Sequence, residues 1–278
     1  MDTETLKLVG TSAVVSAIVG GLVTFLSQNR LLARKAQLDY ELDAKKRLYE
    51  VVGPLRLQLL LAARDVVRRF QMHHKNNWNM NPKDYYVKSC IYRLLAPLAI
   101  GQLIEKQLSV VDFGVDKDAI GLLSFISSAE RMLTGDDVLL NHPEVDWSSQ
   151  KQHLFRDNLR AAALKLVVSE SGKSSRLMSF AEFDASYELL DTEALKALAM
   201  IFKRCQNSLT ENVIFWVRVT GYAYACAEYL KSRSGAALGF EERKLPIEEM
   251  IQATKDQHYI SQLELYQQRL KSILSEGF

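Results

Sequence analysis

Residues 8–26 read LVGTSAVVSAIVGGLVTFL, nineteen residues without a charged side chain. As an α-helix rising 1.5 Å per residue the run extends about 28 Å, close to the roughly 30 Å hydrocarbon core of a bilayer. A helix on the surface of a soluble protein interrupts such a run with a polar face, and none occurs here. The segment is therefore expected to be a retained transmembrane helix. A cleaved signal peptide fits less well, because MDTETLK ahead of the run sets one Lys against two acids and no A-x-A cleavage site follows. A buried core helix would leave the all-round apolar surface without a reason.

Lys and Arg near the two ends set the expected orientation. Only Lys7 precedes the run, whereas Arg30, Arg34, Lys35, Lys45, Lys46 and Arg47 follow within about 20 residues. That excess predicts a single-pass protein of the cell membrane with a short N-terminus outside and the bulk of the chain cytoplasmic. The absence of an N-x-[ST] sequon agrees, and Cys90, Cys205 and Cys226 read as reduced core thiols. Within the run, Ser12, Ser16, Gly20 and Thr24 recur at i, i+4, with Ala13, Ala17 and Gly21 as a second row. Stacked small residues let helices approach closely in lipid, so these positions are expected to pack against another membrane helix.

Beyond the span, residues 30–75 hold eleven basic and five acidic side chains, although the whole chain of 278 residues carries only +2. The basic charge is thus concentrated beside the membrane. Anionic lipid headgroups are the expected partners of Arg30, Arg34, Lys35, Lys45, Lys46 and Arg47, at about 1 kcal/mol per well-placed cation. Nucleic acid is not expected, since the stripe lacks interleaved stacking aromatics. Leu31, Leu38, Leu42, Tyr49 and Val52 fit heptad positions, though Lys35 and Lys45 share their seam, which suggests a helical stalk rather than a firm coiled coil. A bend or break is expected at Gly53-Pro54.

Residues 71–84 read as a loop rich in Asn, in which Trp78 is either tucked onto the body or exposed as a partner contact. His73 and His74 read as polar surface histidines. Further helices are expected at 85–110 (kinked at Pro97), 117–133, 148–168, 180–190, 192–206, 211–232 and 246–276, with residues 213–230 as the central core helix. Ser179 and Glu182 fit a capping box, and Pro246 suits a first helical position. Arg93, Glu105, Arg218 and Glu228 interrupt apolar helices; solvent-facing positions are expected, with an internal ion pair between two of them as the alternative. The fold class is all-α, in three parts: span with short N-terminus (1–29), basic juxtamembrane helical stalk (30–75) and cytoplasmic multi-helix body (76–278).

Chemistry is harder to find. Ser171-Gly172-Lys173-Ser174 has the tail of a phosphate-binding P-loop, but Val167 stands where the first glycine is required. The histidines make no H-x-x-x-H pair and the cysteines no C-x-x-C, so no metal or other cofactor is expected. Asp136, Asp137 and Asp146 near His142 suit turns and caps. No nucleophile elbow is present. The sequence thus points to a membrane-tethered interaction module, a scaffold, adaptor or sensor whose partner is a second copy or another protein. An oligomerising membrane effector, or a small-ligand receptor or enzyme built from distant helices, are the alternatives.

Overall fold

The structure is a computed structural model that describes residues 3–78, 84–109, 117–147, 154–169, 175–190, 192–203, 208–232 and 245–276. Side chains at 3–19, 23, 84, 117–118, 203 and 208 are outside that description. The chain is mostly helical, as its pattern predicts. It divides into two units, residues 1–49 and 50–278.

Helix α1 (Thr3–Lys75) supplies the described part of the first unit and opens the second. Ala, Leu, Arg, Lys, Gln and Glu dominate residues 30–50, all strong helix formers. The break expected at Gly53-Pro54 does not occur, because Pro54 sits inside an unbroken helix. Pro54 and Glu50 are both exposed, so water can serve the Glu50 carbonyl that proline leaves without a donor. Val52, Leu55 and Leu59, all buried, hold the helix on either side. The helix also runs to Lys75, past the expected start of the loop.

The second unit continues with α2 (Asp84–Leu108), α3 (Lys117–Thr134), α4 (Arg156–Leu164), α5 (Phe180–Ser186), α6 (Glu193–Lys203), α7 (Ser208–Glu211) and α8 (Val213–Ser232). Helices α9 (Ile247–Thr254), α10 (Gln257–Ser261) and α11 (Leu263–Glu276) follow. Two-residue strands β1 (Val167–Val168) and β2 (Arg176–Leu177) pair antiparallel, β1 standing where a helix was expected to end. The single helix expected over 246–276 is three. Lys255 closes α9 in the left-handed region (φ 58°), and the Asp256 side chain then caps α10 by accepting from the Tyr259 N–H. The Ser179–Glu182 capping box forms with both reciprocal bonds.

α8 is the core helix, buried along fifteen of its residues and packed against α3, α9 and α11. Gly221 brings α3 and α11 close, since a Cβ there would lie 2.9 Å from Met132 Sδ and 3.1 Å from Leu270 Cδ2. Phe125 of α3 stacks on Tyr229 of α8 at 4.1 Å. The Tyr222 hydroxyl donates to the Leu94 carbonyl (3.1 Å) and that of Tyr266 to the Val217 carbonyl (2.6 Å), which satisfies both phenols without water. Among the described residues, Tyr85–Leu108 is long and apolar enough to cross a membrane, but most of it is buried within this unit, as a core helix would be.

Two substitutions test this packing. Gly53→Ala, at a helical site where a Cβ meets nothing within 4 Å, should stabilise the protein by about 0.5–1 kcal/mol. Gly221→Val should destabilise it by about 1–3 kcal/mol through overpacking against Met132 and Leu270. Urea unfolding of the full chain in detergent checks both.

Candidate functional site

The predicted membrane and lipid positions all lie on α1. Gly20, Gly21 and Thr24 are exposed, and a Cβ at either glycine would meet nothing within 4 Å. The Thr24 hydroxyl donates to the Gly20 carbonyl (2.8 Å) and Ser27 Oγ to the Thr24 carbonyl (2.9 Å), so the helix satisfies its own hydroxyls. Ser12, Ala13, Ser16 and Ala17 are on the same helix, with side chains outside the described residues. Arg30, Arg34, Lys35, Lys46 and Arg47 are exposed, and Lys45 is half-buried.

Trp78 takes the tucked position. Asn77 and Trp78 are left-handed (φ 49° and 58°); the Trp78 N–H bonds the His73 carbonyl (2.7 Å) and the Asn77 N–H that of His74 (2.9 Å). This is a Schellman ending, with Asn in the position that tolerates positive φ. It turns the indole back onto Phe70 (5.1 Å, edge-on) and Trp216 of α8 (6.0 Å). Trp78 is 8% exposed, so most of its ring packs into the core.

Beneath it lies a cavity of about 30 Å³, room for one or two waters, lined by Val66, Arg69, Phe70 and His73 of α1, Cys90, Arg93 and Leu94 of α2, Phe202, Trp216 and Val219. His73 is buried, not the surface histidine expected, because its place beside Phe70 on α1 faces Trp216 (5.9 Å). His73 Nε2 lies 3.7 Å from Cys90 Sγ. Burial, then the charge of Arg69, pushes His73 down to about 3. Burial pushes the Cys90 thiol up to about 11, against the opposing charges of Arg69 and Arg93. Both groups are neutral near pH 7, so the pair is not a thiolate–imidazolium nucleophile. At the cavity's edge Arg69 Nη2 donates to Ser89 Oγ (2.7 Å), and Arg93 Nη1 donates to the same oxygen and to the Ser89 carbonyl (3.2 Å). Sequence reading did not single out Arg69 or Ser89, and 20 residues separate them.

Arg218 is also a correction: it is 1% exposed rather than solvent-facing. Its Nη1 donates to the Leu133 carbonyl (2.6 Å) in the last turn of α3, where carbonyls lack helical donors and the helix dipole is negative. The Trp147 ring lies 5.7 Å from the guanidinium carbon. Nε and Nη2 have no hydrogen-bond partner among the described residues, and burial lowers the pKa to about 10, which leaves the group charged at neutral pH. The alternative internal pair among the four charges does not form either. Glu105 pairs with Arg160 and Glu228 with Lys231, while Arg93 turns to Ser89. Glu130, almost fully buried, receives both Arg156 and Arg160 (3.1 and 2.6 Å) and so ties α3 to α4. His142 pairs with Asp256 (3.0 Å), not with Asp136, Asp137 or Asp146. Asp137 is held by Arg131.

Among the described residues no three His, Cys, Asp or Glu side chains gather as metal ligands. Cys90 and Cys226 are buried free thiols; Cys205, His153 and residues 171–174 lie outside the description. Compared with models of known protein families, with curated proteins and with solved structures, the chain matches none.

The depressed His73 gives a pH test. Between about 6.5 and about 3 the unfolded imidazole binds a proton that the folded one refuses, so stability falls as pH drops through that window. The slope approaches about 1.4 kcal/mol per pH unit for this one group. His73→Gln removes it, and unfolding midpoints measured from pH 7 to 4 should fall less steeply than those of the parent.

Proposed function

We propose that the protein is a single-pass membrane-anchored helical interaction module that holds its body beside the bilayer on the cytoplasmic side. The observation that carries this reading is the surface of α1 in the first unit. Leu22, Phe25, Leu26, Leu31 and Leu32 are 52–67% exposed, while the second unit buries apolar side chains along nearly all its helices. Adjacent exposed apolar residues on one helix need a non-aqueous neighbour. Lipid suits residues 8–26 by length, and the cations that follow suit an anionic headgroup layer.

A second copy of the chain suits the stalk. Leu31, Leu38 and Leu42 are 51–67% exposed on one seam, shared with Lys35 and Lys45. Two copies anchored in one membrane leave it side by side in the same direction. In that parallel register Arg34 of one faces Asp39 of the other, and Glu41 faces Lys46, opposite charges in both flanking pairs. The two lysines on the seam weaken the pairing, so it depends on the shared anchor.

Alkaline carbonate extraction and protease treatment of inverted vesicles test the anchor. The chain should stay with the membrane and the body should be digested; release by carbonate, or protection of the body, would overturn the reading. Leu38→Asp with Leu42→Asp should lower the native mass of the detergent-solubilised complex without lowering the unfolding midpoint of the body. An unchanged mass rules out the stalk as the pairing surface.

A further inference from the structure

We propose that Arg69, Arg93 and Ser89 form a binding site for a phosphate group, independent of how the chain meets the membrane. Two guanidiniums from different helices are brought to one serine oxygen: Arg69 Nη2 at 2.7 Å and Arg93 Nη1 in contact. Ser89 is fully buried, while both arginines are half-buried and keep part of their side chains in reach of solvent. Like charges held this close need a counter-charge. No carboxylate pairs with either arginine among the described residues. Asp65, one turn before Arg69, makes its ion pair with Arg64 (3.5 Å) and also attracts Arg93, so a single carboxylate charge is divided among more than one arginine.

The donors also have the chemistry of an oxyanion site. A single hydroxyl and a backbone carbonyl use little of the capacity of two guanidiniums, each with five N–H groups in a planar fork. Ser89 accepts from both and keeps its own O–H to donate. A tetrahedral oxyanion offers separate oxygens to the two forks and to that hydroxyl, as charge-assisted bonds. The adjoining cavity of about 30 Å³ is lined mainly by apolar and neutral groups and is too small for more than water, so only the phosphate group itself is recognised. That group could come from a phospholipid head or from a soluble phosphate, and the chemistry is shared.

The test uses the full chain in non-ionic detergent and phosphate-free buffer, titrated separately with inorganic phosphate and with short-chain phosphatidic acid, and followed by thermal unfolding and calorimetry. At a hundredfold excess over Kd the midpoint should rise by about 5 °C. Arg93→Gln and Ser89→Ala should each weaken binding about tenfold or more. Arg93→Gln and Arg69→Gln should be at least as stable as the parent without phosphate, because each relieves repulsion; a purely structural arginine would lower stability there. A response to phosphatidic acid alone identifies a lipid source, and a response to both a free phosphate group. No response to either, an equal response in the variants, or loss of stability of both arginine variants in phosphate-free buffer would overturn the proposal.

Discussion

A helix buried along fifteen of its twenty residues has to be enclosed on most of its surface, and α8 imposes that demand on the second unit. Each polar group it carries must then be answered inside the protein. Thr220 returns its hydroxyl to the Trp216 carbonyl, Tyr222 reaches the Leu94 carbonyl of α2, and Arg218 reaches Leu133 at the end of α3. The helices that cover α8 are placed by those bonds as well as by packing. Gly221 shows the reverse influence, where loss of a side chain lets Met132 and Leu270 close on the backbone.

Buried charge is handled in three ways in this body. Glu130 is met by two arginines, which offset its desolvation with opposite charge and hydrogen bonds. His73 and Cys90 avoid the cost by staying neutral, the imidazole lowered and the thiol raised by the same burial. Arg218 keeps its charge against the carboxyl end of α3 and the face of Trp147, with two nitrogens unanswered. Arg69 and Arg93 meet at one serine with only the partial attraction of Asp65, and the proposed phosphate would supply the remaining counter-charge.

The two units meet opposite requirements. The second carries most of its apolar side chains inward, and Trp78 shows how far this goes: a left-handed Schellman ending brings a residue three places beyond the helix back onto Phe70 and Trp216. In the first unit leucines stand exposed along α1 beside arginines and lysines. Such a surface is stable beside lipid or a second helix and costly in water. The proposed anchoring follows from that contrast.

Much of the fold could be read in the residues. The 3.6-residue period placed α3 and α8 to within a few residues, and Ser179 with Glu182 announced a helix start by a local bond that needs no tertiary partner. Local signals misled where their cost could be met from outside. Pro54 did not break α1, since Glu50, whose carbonyl it leaves without a donor, is an exposed residue that water can reach and the neighbours of Pro54 are packed, whereas Lys255 and Asp256 divided a periodic stretch that had seemed continuous. The candidate site was scarcely legible. Arg218 lies on a helix whose other charged residues, Glu228 and Lys231, gather towards its far end, so periodicity had little by which to orient it. His73, Cys90, Arg69 and Arg93 share no motif, because their meeting depends on where α1 and α2 bring their side chains together. The sequence by itself determined the helical class and the core helix, because period and burial are properties of neighbours along the chain. Only the tertiary structure decided which charges became buried, paired or set beside a like charge, because those depend on groups that the chain brings together from a distance.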